Sequence, residues 1–364
     1  MPDDPRARPA SRHLLALGHQ PRAAGSVAEA EARQWCRTVL EGHGFSVTEE
    51  PFAYSAAIGR WMVPVCATLV AVALGATSVA WRSARPGMSS AIALGVLGLV
   101  IGLAARWATT TGVLTFPLAL REGVNLVATR GAPSVWLVAH LDTKSQPMPT
   151  LVRAGLLVIL GVALVATVAV SIWWPASRPA PWALPLVGTL AGFVLSFATV
   201  GNESPGARDN ATGVAAVLAA VAQLAPEQSL GVVIPSAEEL GLAGMRAWVR
   251  GRSPGTAINV DTVDDVGHWR CMVHGTASRP LAQAVVAAMH ARRMGQLRVS
   301  GVIPGLLTDG VALGDAGWRA VTLSRGNWQT LARIHRPGDS VLGLVGTGAD
   351  ELSPLLAALV NTRT

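Results

Sequence analysis

Two polar residues stand at the end of an apolar, β-branched run, where they could take part in chemistry at a sheet edge. The run 135–142 reads Val-Trp-Leu-Val-Ala-His-Leu-Asp, so His140 and Asp142 follow a predicted buried strand. Strand side chains alternate between faces, and these two therefore point the same way. An imidazole beside a carboxylate suits a metal ligand whose tautomer is fixed by its neighbour. His-x-Asp is common by chance, so the pair becomes informative only with the residues downstream.

Five further residues place a polar group at the end of an element or in a loop. Glu238 and Glu239 directly follow an apolar strand pattern, and adjacent acids there are costly unless something neutralises them. Solvated surface positions are the alternative for that pair. Asp261 ends another apolar strand pattern, Asp209 precedes a helix of small residues that it could instead cap, and His335 lies in a late loop. Because α/β sheets bind ligands at the carboxyl ends of their strands, we expect these side chains to meet there.

The order of these motifs resembles the dizinc aminopeptidase family, whose relatives include glutamate carboxypeptidase and the glutaminyl cyclases. The resemblance extends to Pro21-Arg-Ala-Ala-Gly-Ser26 near the amino end and covers essentially all soluble residues, but none of the long apolar runs. It rests on the ordered motifs His140-Leu-Asp142, Asp209-Asn-Ala-Thr-Gly213, Glu238-Glu239-Leu-Gly-Leu, Asp261 and His335-Arg-Pro-Gly-Asp339.

The resemblance implies two zinc ions per chain, and a ligand set of carboxylates and imidazoles also accepts manganese or cobalt. Two metals about 3.5–4 Å apart can polarise a scissile carbonyl and generate hydroxide from a shared water. Glu238 is implied as the free general base, and Asp142 is implied to orient the ring of His140. The implied ligands are His140 and Asp261 for one ion, Glu239 and His335 for the other, and Asp209 as the bridge between them.

The sequence departs from the family pattern around the substrate. Where the family often has Ser-Asp-His, this chain has Thr308-Asp309-Gly310, which leaves Asp309 as a substrate-binding candidate and removes a histidine contact. The only tyrosine is Tyr54, so a tyrosine from a later loop cannot stabilise the tetrahedral oxyanion. Backbone donors, Arg325 or Asn327 are the alternatives for that role.

Helical and strand patterns alternate along the soluble part of the chain, which predicts an α/β fold. We expect a mixed, mostly parallel central sheet flanked by helices. Residues 1–12, rich in proline and arginine, are expected to be mobile, and Asp339 or Ser340 is expected to cap the last helix. The predicted elements are helices at 26–43, 214–224, 242–250 and 281–293 with a last one from Val341 or Leu352, and strands at 44–48, 123–129, 134–139, 230–235, 257–260 and 320–323.

Four long runs carry no Asp, Glu, Lys or Arg, in a chain that is 51% hydrophobic and 14% charged. Each approaches the ~20 residues that cross the hydrocarbon core as a helix, so we predict two transmembrane hairpins within one peptidase domain. The runs are Met62–Ala80, Met88–Ala105, Ala154–Trp174 and Pro181–Val200. The predicted division is 1–60 for the first part of the domain, 61–107 for the first hairpin, 108–150 for the first metal-ligand strand, 151–200 for the second hairpin and 201–364 for the remainder.

Two hairpins return the chain to its starting side, so the domain and both termini are expected on one face of the bilayer. That face is expected to be cytoplasmic, because about sixty Arg-bearing residues precede the first span without a signal peptide. The net charge of +7 fits contact with anionic lipid, and no basic-aromatic pattern indicates a nucleic-acid partner.

These observations favour a membrane-embedded metallo-aminopeptidase whose substrates are peptides with a free amino terminus that arrive along the bilayer surface. Dipeptidase or carboxypeptidase activity, and glutaminyl cyclisation, are alternatives on the same scaffold. A non-catalytic membrane receptor or scaffold is the alternative from another class, and the intact ligand set with Glu238 argues against it. Transport by the spans is a third possibility, but the apolar runs carry no charge that would mark an ion path.

Overall fold

The computed structural model describes residues 9–83, 85–175, 177–303 and 306–362. One eight-stranded sheet organises the chain, with the strand order β1-β2-β4-β3-β5-β8-β6-β7. The strands are β1 (Ser46–Ser55), β2 (Leu120–Arg130), β3 (Val135–Val138), β4 (Leu230–Ile234), β5 (Thr256–Val263), β6 (His268–His274), β7 (Leu297–Gly301) and β8 (Arg319–Gly326).

The centre of the sheet is parallel, and its flanks bring in antiparallel pairs. The neighbours β4, β3, β5 and β8 pair in parallel, whereas β1–β2, β2–β4 and β6–β8 are antiparallel. Every residue of β4 is buried, as expected for a strand with helices over both faces of the sheet. The predicted mixed, mostly parallel sheet is therefore confirmed.

Helices cover both faces of this sheet. One face carries a large core around α8, all of whose residues are buried, and the other carries a smaller core around Trp248 and Trp318. The helices are α1 (Pro9–Leu17), α2 (Val27–Gly42), α3 (Ala56–Ser83), α4 (Met88–Trp107), α5 (Val113–Thr115), α6 (Thr150–Trp173), α7 (Ala183–Leu195), α8 (Thr212–Val221), α9 (Ala243–Trp248), α10 (Arg279–Ala291), α11 (Asp309–Asp315), α12 (Trp328–Arg333) and α13 (Thr347–Asn361), with short irregular helical turns at Ala108–Gly112, Ala207–Ala211 and Thr276–Ser278.

The amino-terminal prediction needs one correction. Residues 9–12 were expected to be mobile, but they belong to α1, in which Ala10 and Ser11 are buried. The backbone N–H of Ala10 donates to Asp350 and the Ser11 hydroxyl donates to the carbonyl of Val345, so the helix is attached to the end of the chain. Residues 1–8 lie outside the described part of the chain.

Four apolar helices, α3, α4, α6 and α7, pack together into a separate hydrophobic cluster. Three helical segments, Ala56–Ser83, Met88–Thr115 and Thr150–Trp173, are long and apolar enough to cross a membrane by length and composition. The fourth predicted span is helical only over Ala183–Leu195, about 20 Å at 1.5 Å per residue, against a hydrocarbon core of about 30 Å. Pro181 lies before this helix, and the chain leaves it in a turn at Ser196–Ala198.

Each apolar hairpin leaves and re-enters the sheet domain at a pair of hydrogen-bonded neighbours. Ser55, the last residue of β1, pairs with Leu120, the first residue of β2, on either side of the first hairpin. Ser145 and Gly201 form an isolated antiparallel bridge on either side of the second, with both N–H···O distances at 2.9 Å. Both hairpins are therefore insertions between positions that are already adjacent in the domain.

Candidate metal centre

The site residues predicted from the sequence gather at one edge of the sheet. His140 and Asp142 follow β3, Glu238 and Glu239 follow β4, and Asp261 lies near the end of β5. These strands are parallel neighbours, so their carboxyl ends open onto the same edge. Two more residues come from loops at that edge: Asp209 lies just before α8, and His335 follows α12.

Five of these side chains form two groups that share Asp209. Nε2 of His140 lies 3.2 Å from Oδ1 of Asp209 and 3.9 Å from Oδ1 of Asp261. Nε2 of His335 lies 2.9 Å from Oδ2 of Asp209 and 3.2 Å from Oε1 of Glu239. Within each group of three residues the candidate ligand atoms all lie within 4.8 Å of one another, close enough to hold a metal ion.

The chemistry of this donor set fits divalent cations. Three carboxylates and two imidazoles are packed together, and Asp209 and Glu239 are 6% and 7% exposed. Oε1 of Glu239 accepts no hydrogen bond from the described residues although it is shielded from solvent. Carboxylates buried in this way require positive charge. Oxygen and imidazole ligands without thiolate are a set that zinc accepts.

Asp142 is tied to the paired glutamates more closely than to the ring of His140. Its carboxylate accepts the backbone N–H groups of Glu238 and Glu239 at 3.0 and 3.1 Å, whereas Nδ1 of His140 is 3.9 Å from its Oδ1. That Nδ1 instead lies 3.1 Å from the backbone carbonyl of Asp142, to which it can donate. The loop of Asp142 thus orients His140, but through a carbonyl oxygen and not through the carboxylate that the sequence suggested.

Glu238 differs from Glu239 in that its carboxylate has no hydrogen-bond or ion-pair partner among the described residues. Its side chain is 5% exposed, and no hydrogen bond to its carboxylate is found in the described part of the chain. Burial raises the pKa of Glu238, and the nearby acidic groups act in the same direction. A carboxylate whose pKa is raised in this way is suited to accept a proton and then return it.

The loop that carries Asp209 is fixed by polar contacts on both sides. The carboxylate of Asp339 accepts the backbone N–H groups of Arg208 and Asp209 at 2.9 and 3.2 Å. The side chain of Asn210 donates to the carbonyl of Val260 and accepts from the N–H of Thr262, which ties the loop to the end of β5. The expectation that Asp339 or Ser340 caps the last helix is wrong, since the residue at the N-cap position of α13 is Gly346.

Arg22 connects two of the loops that carry candidate ligands. Its fully buried guanidinium donates to the carbonyls of Leu141, Pro205 and Gly206 at 3.0, 2.8 and 3.1 Å, and to Leu17. Leu141 lies between His140 and Asp142, and residues 205–206 lead to Asp209. The sequence offered only the Pro21-Arg22 pair as a signal, and backbone carbonyls as partners leave no mark in the pattern of residue types.

The second hairpin begins in contact with the site. Oγ1 of Thr150, the first residue of α6, lies 3.3 Å from Nδ1 of His335, and the N–H of Gln146 donates to the carbonyl of His335. Nζ of Lys144 lies 2.5 Å from Oε2 of Glu239. The only sequence signal for Lys144 is its position, two residues after Asp142 and in the same loop.

The remaining candidates have different surroundings. Asp309 is fully buried at the start of α11, and neither of its carboxyl oxygens accepts a hydrogen bond from the described residues. Burial raises its pKa to about 8. Arg325 and Asn327 are engaged elsewhere: Arg325 pairs with Glu351 at 2.9 Å, and Asn327 caps α12. Tyr54 is buried in β1.

Comparison with known proteins places this edge in context. The model of Peptidase family M28 matches residues 125–360. No curated protein matches the chain in sequence.

Solved structures with the same fold include peptidases and a cyclase. An aminopeptidase from Aneurinibacillus sp. strain AM-1 has a TM-score of 0.56 at 13% identity, over 99% of this chain and 93% of that one. BSAP, a zinc aminopeptidase from Bacillus subtilis, has the same score and identity over 97% and 94%. A glutaminyl cyclase from Fimbriiglobus ruber has a TM-score of 0.55 at 13% identity, over 100% and 97%. At such identities these likenesses show the fold alone.

Proposed function

Because the chain belongs to peptidase family M28 and is thereby a zinc-dependent exopeptidase, we propose that it removes amino-terminal residues from peptides at a two-metal centre in the membrane. The observation that carries the proposal is the pair of ligand groups sharing Asp209, with the unpartnered carboxylate of Glu238 beside them. A scaffold or receptor would have no use for a free buried acid next to a complete ligand set.

His140 and Asp261 would hold one zinc ion, Glu239 and His335 the other, and Asp209 would bridge them. When bound, the ions supply Lewis-acid polarisation of the scissile carbonyl and lower the pKa of the attacking water. Glu238 takes the proton of that water and passes it to the leaving amine, so that one carboxylate acts first as base and then as acid. Asp142 holds the backbone of both glutamates, which keeps Glu238 aimed into the site.

We also propose that the four-helix cluster lies in the bilayer, with the peptidase domain assembled from residues 1–60, 108–150 and 201–364 on one side. The bridge between Ser145 and Gly201 supports two crossings by the second hairpin, because a chain that crosses through α6 must come back to meet its starting point. The outward faces of the cluster are apolar, as lipid contact requires. Residues exposed on these faces include Val65, Val72, Leu99, Val158, Val165, Leu190 and Phe193.

The cytoplasmic side is proposed for the domain, on the grounds of the long folded segment that precedes α3. The proposed substrates are peptides that reach the metal centre along the bilayer surface, since both ends of the second hairpin flank metal-ligand loops. Asp309, buried beside the site without a partner, is proposed to face the substrate.

Hydrolysis by the purified full-length protein in detergent tests the function. We expect release of the amino-terminal residue from leucyl-anilide, loss of turnover with a chelator, and recovery when zinc is added. The matched acetyl-leucyl-anilide, which lacks the free amine, should not be cleaved. Cleavage of the acetylated compound with equal efficiency, or turnover that survives complete metal removal, would contradict the proposal.

A further inference from the structure

Two cations border the metal centre at the point where the second hairpin starts. The ammonium of Lys144 contacts Oε2 of Glu239, whose other oxygen, Oε1, faces His335 at 3.2 Å. The Lys144 side chain is only 16% exposed. Lys144 and His335 therefore lie against the two oxygens of the same carboxylate, and Oε1 is a candidate metal-ligand atom.

Arg153 belongs to the same corner. It lies three residues after Thr150 on α6, and residues three apart share a helix face. Thr150 on that face contacts Nδ1 of His335 at 3.3 Å, so Arg153 lies on the side of α6 that borders the metal site. Nε of Arg153 is shielded from solvent, and its guanidinium has no hydrogen-bond or ion-pair partner within the ranges that the structure describes.

Only one of these two cations is in direct contact with an acid. Lys144 forms an ion pair with Glu239, whereas the charge of Glu239 acts on the half-buried Arg153 only from farther away. A half-buried guanidinium without a direct partner is unfavourable, so the arrangement favours an anion that arrives from outside. A guanidinium binds carboxylates in a two-point geometry, and an ammonium adds a point charge.

We propose that Lys144 and Arg153 form a subsite for the α-carboxylate of the residue that follows the scissile bond, so that the preferred substrates are dipeptides. Consecutive Cα atoms are about 3.8 Å apart, so the terminal carboxylate of a dipeptide lies about one residue beyond the scissile carbonyl. Lys144, in contact with the ligand candidate Glu239, borders the centre where such a carboxylate would lie. In a longer peptide this position is an uncharged amide, which leaves Arg153 unpaired.

The inference rests on the proposed peptidase function, because it names the substrate of the same site. It assigns a binding role to α6, a helix of the membrane cluster. The amino end of α6 gives minor support to this role. Its N-cap residue, Pro149, makes no side-chain cap, and the helix dipole makes the first turn favourable for an anion.

Steady-state kinetics with alanyl-alanine, its carboxyl-terminal amide and trialanine test the subsite in the full-length zinc-loaded protein. We expect kcat/KM for the dipeptide to exceed that for the amide by about 10–100-fold, because a charge-assisted contact is lost in the amide. Trialanine should resemble the amide. Lys144→Met and Arg153→Met should each reduce the ratio by about tenfold.

Two further variants separate a binding role from a structural one. Lys144→Arg keeps the charge and should retain the preference for the free carboxylate. Arg106→Met removes an exposed arginine from the last turn of α4 and should leave every ratio unchanged. If Lys144→Met lowers hydrolysis of the dipeptide and of the amide equally, Lys144 only neutralises Glu239 and the proposal fails.

Binding to the slow variant Glu238→Gln gives a readout that does not depend on turnover. The Kd of alanyl-alanine, measured by calorimetry, should be about tenfold or more below that of its amide, and Arg153→Met in the same background should remove the difference. Equal Kd values overturn the subsite even if the protein is an active peptidase. An amidated alanyl-aspartate that binds as well as alanyl-alanine also overturns it, since the cations then bind a side-chain carboxylate and do not require the α-carboxylate. Absence of hydrolysis for every peptide, with the Kd difference intact, refutes the proposed function and not the subsite.

Discussion

At the scale of single residues, the candidate site is held mainly by side chains that bind no metal. Asp142, Asn210, Asp339 and Arg22 each use hydrogen bonds to the backbone to hold a loop that carries a candidate ligand. The contacts of Arg22 and Asp339 span more than a hundred residues of sequence. Such second-layer contacts typically change metal affinity by 10–100-fold when removed.

Arg22 should be the most sensitive of these residues. Arg22→Lys retains the charge but cannot reach the carbonyls of Leu141 and Gly206 together, so buried hydrogen bonds to a charged group are lost. We expect about 3 kcal/mol less stability, a melting temperature roughly 6–12 °C lower, and weaker zinc binding. Thermal unfolding and zinc titration in detergent measure both.

Arg37→Gln provides the control, since Arg37 makes exposed ion pairs with Glu41 and Glu49 that are worth at most about 1 kcal/mol. A melting temperature of Arg22→Lys equal to that of Arg37→Gln would show that Arg22 does not join the loops.

His274 should make stability depend on pH. Burial lowers its pKa to about 4, while Nε2 bonds the hydroxyl of Thr322 at 2.8 Å. The unfolded chain takes up this proton near pH 6.5 and the folded chain does not, so stability is complete above pH 6.5 and falls as the pH drops towards 4. At pH 5 the loss is roughly 2 kcal/mol.

The free energy of unfolding should therefore differ less between His274→Gln and the wild type at pH 5 than at pH 7.5, by roughly 2 kcal/mol. Thermal unfolding at the two pH values measures this. His268→Gln, at an exposed position of the same strand, is the control. A gap for His274→Gln that stays constant with pH would rule out this assignment.

The candidate ligands could be named from sequence because their motifs stand in the order of a known family. Each is also a polar residue after an apolar strand or in an adjoining loop, and parallel strands end at the same edge. The structure brings His140, Asp209, Asp261, Glu239 and His335 together in two groups, as the ordered motifs implied. Roles that depend on a backbone partner or on an unpaired charge were not predictable. Residue types do not reveal that the Asp142 carboxylate accepts from two backbone N–H groups or that Arg153 makes no direct ion pair within the described residues.

At the scale of elements, both apolar hairpins contact the loops that carry the candidate site residues. In the first turn of α3, a Cβ placed on Gly59 would lie 2.5 Å from Cα of Leu240, the residue after Glu239. In the first turn of α6, Thr150 contacts His335. These apolar helices therefore help to set the positions of the candidate base and ligands.

Gly59→Ala should disturb the glutamate loop through this contact. Backbone atoms of Leu240 block the new methyl group, so α3 or the loop must shift, and misplacement of Glu238 by about 1 Å can cost roughly 100-fold in rate. We expect kcat/KM to fall by about 10–100-fold. Gly95→Ala in α4 introduces the same methyl group where nothing lies within 4 Å, and it should keep full activity. Equal activity of the two variants would show that α3 does not constrain the loop.

Strong patterns predicted elements well, and weak ones did not. The central strands and α2, α8 and α10 were expected close to where they lie, because long apolar or amphipathic patterns marked them. Strands β6 and β7 were missed, since β7 is a mostly exposed edge strand and β6 has mixed polarity. The fourth apolar run predicted a full span, but its helix has only 13 residues.

At the scale of the whole molecule, two apolar hairpins interrupt one sheet domain without disturbing its connections. Ser55 and Leu120 are partners in the sheet, and Ser145 and Gly201 bridge each other, so each hairpin replaces a loop between neighbours. The sequence predicts an even number of crossings, which would return the chain to its starting side. The direct contact of the hairpins with the site was not, because it depends on tertiary packing.

Labelling from the two sides of the membrane tests this arrangement. Cysteines introduced as Gly42→Cys, at the exposed end of α2, and Ser177→Cys, in the loop between α6 and α7, should react with an impermeant maleimide from opposite sides. Gly42→Cys should react in inverted vesicles if the domain is cytoplasmic. The wild type, in which Cys36 and Cys271 are buried, gives the background. Labelling of both positions from one side would contradict the insertion of the second hairpin.

Metal content and turnover measured together on wild type and Glu238→Gln test the two-metal centre and its base most directly. Both proteins should bind two zinc ions per chain, since Glu238 is not among the five ligands. The variant should lose about 10²–10⁴-fold in kcat, as removal of a general base predicts. Zinc lost together with activity, or activity equal to that of the wild type, would contradict the roles assigned to these residues.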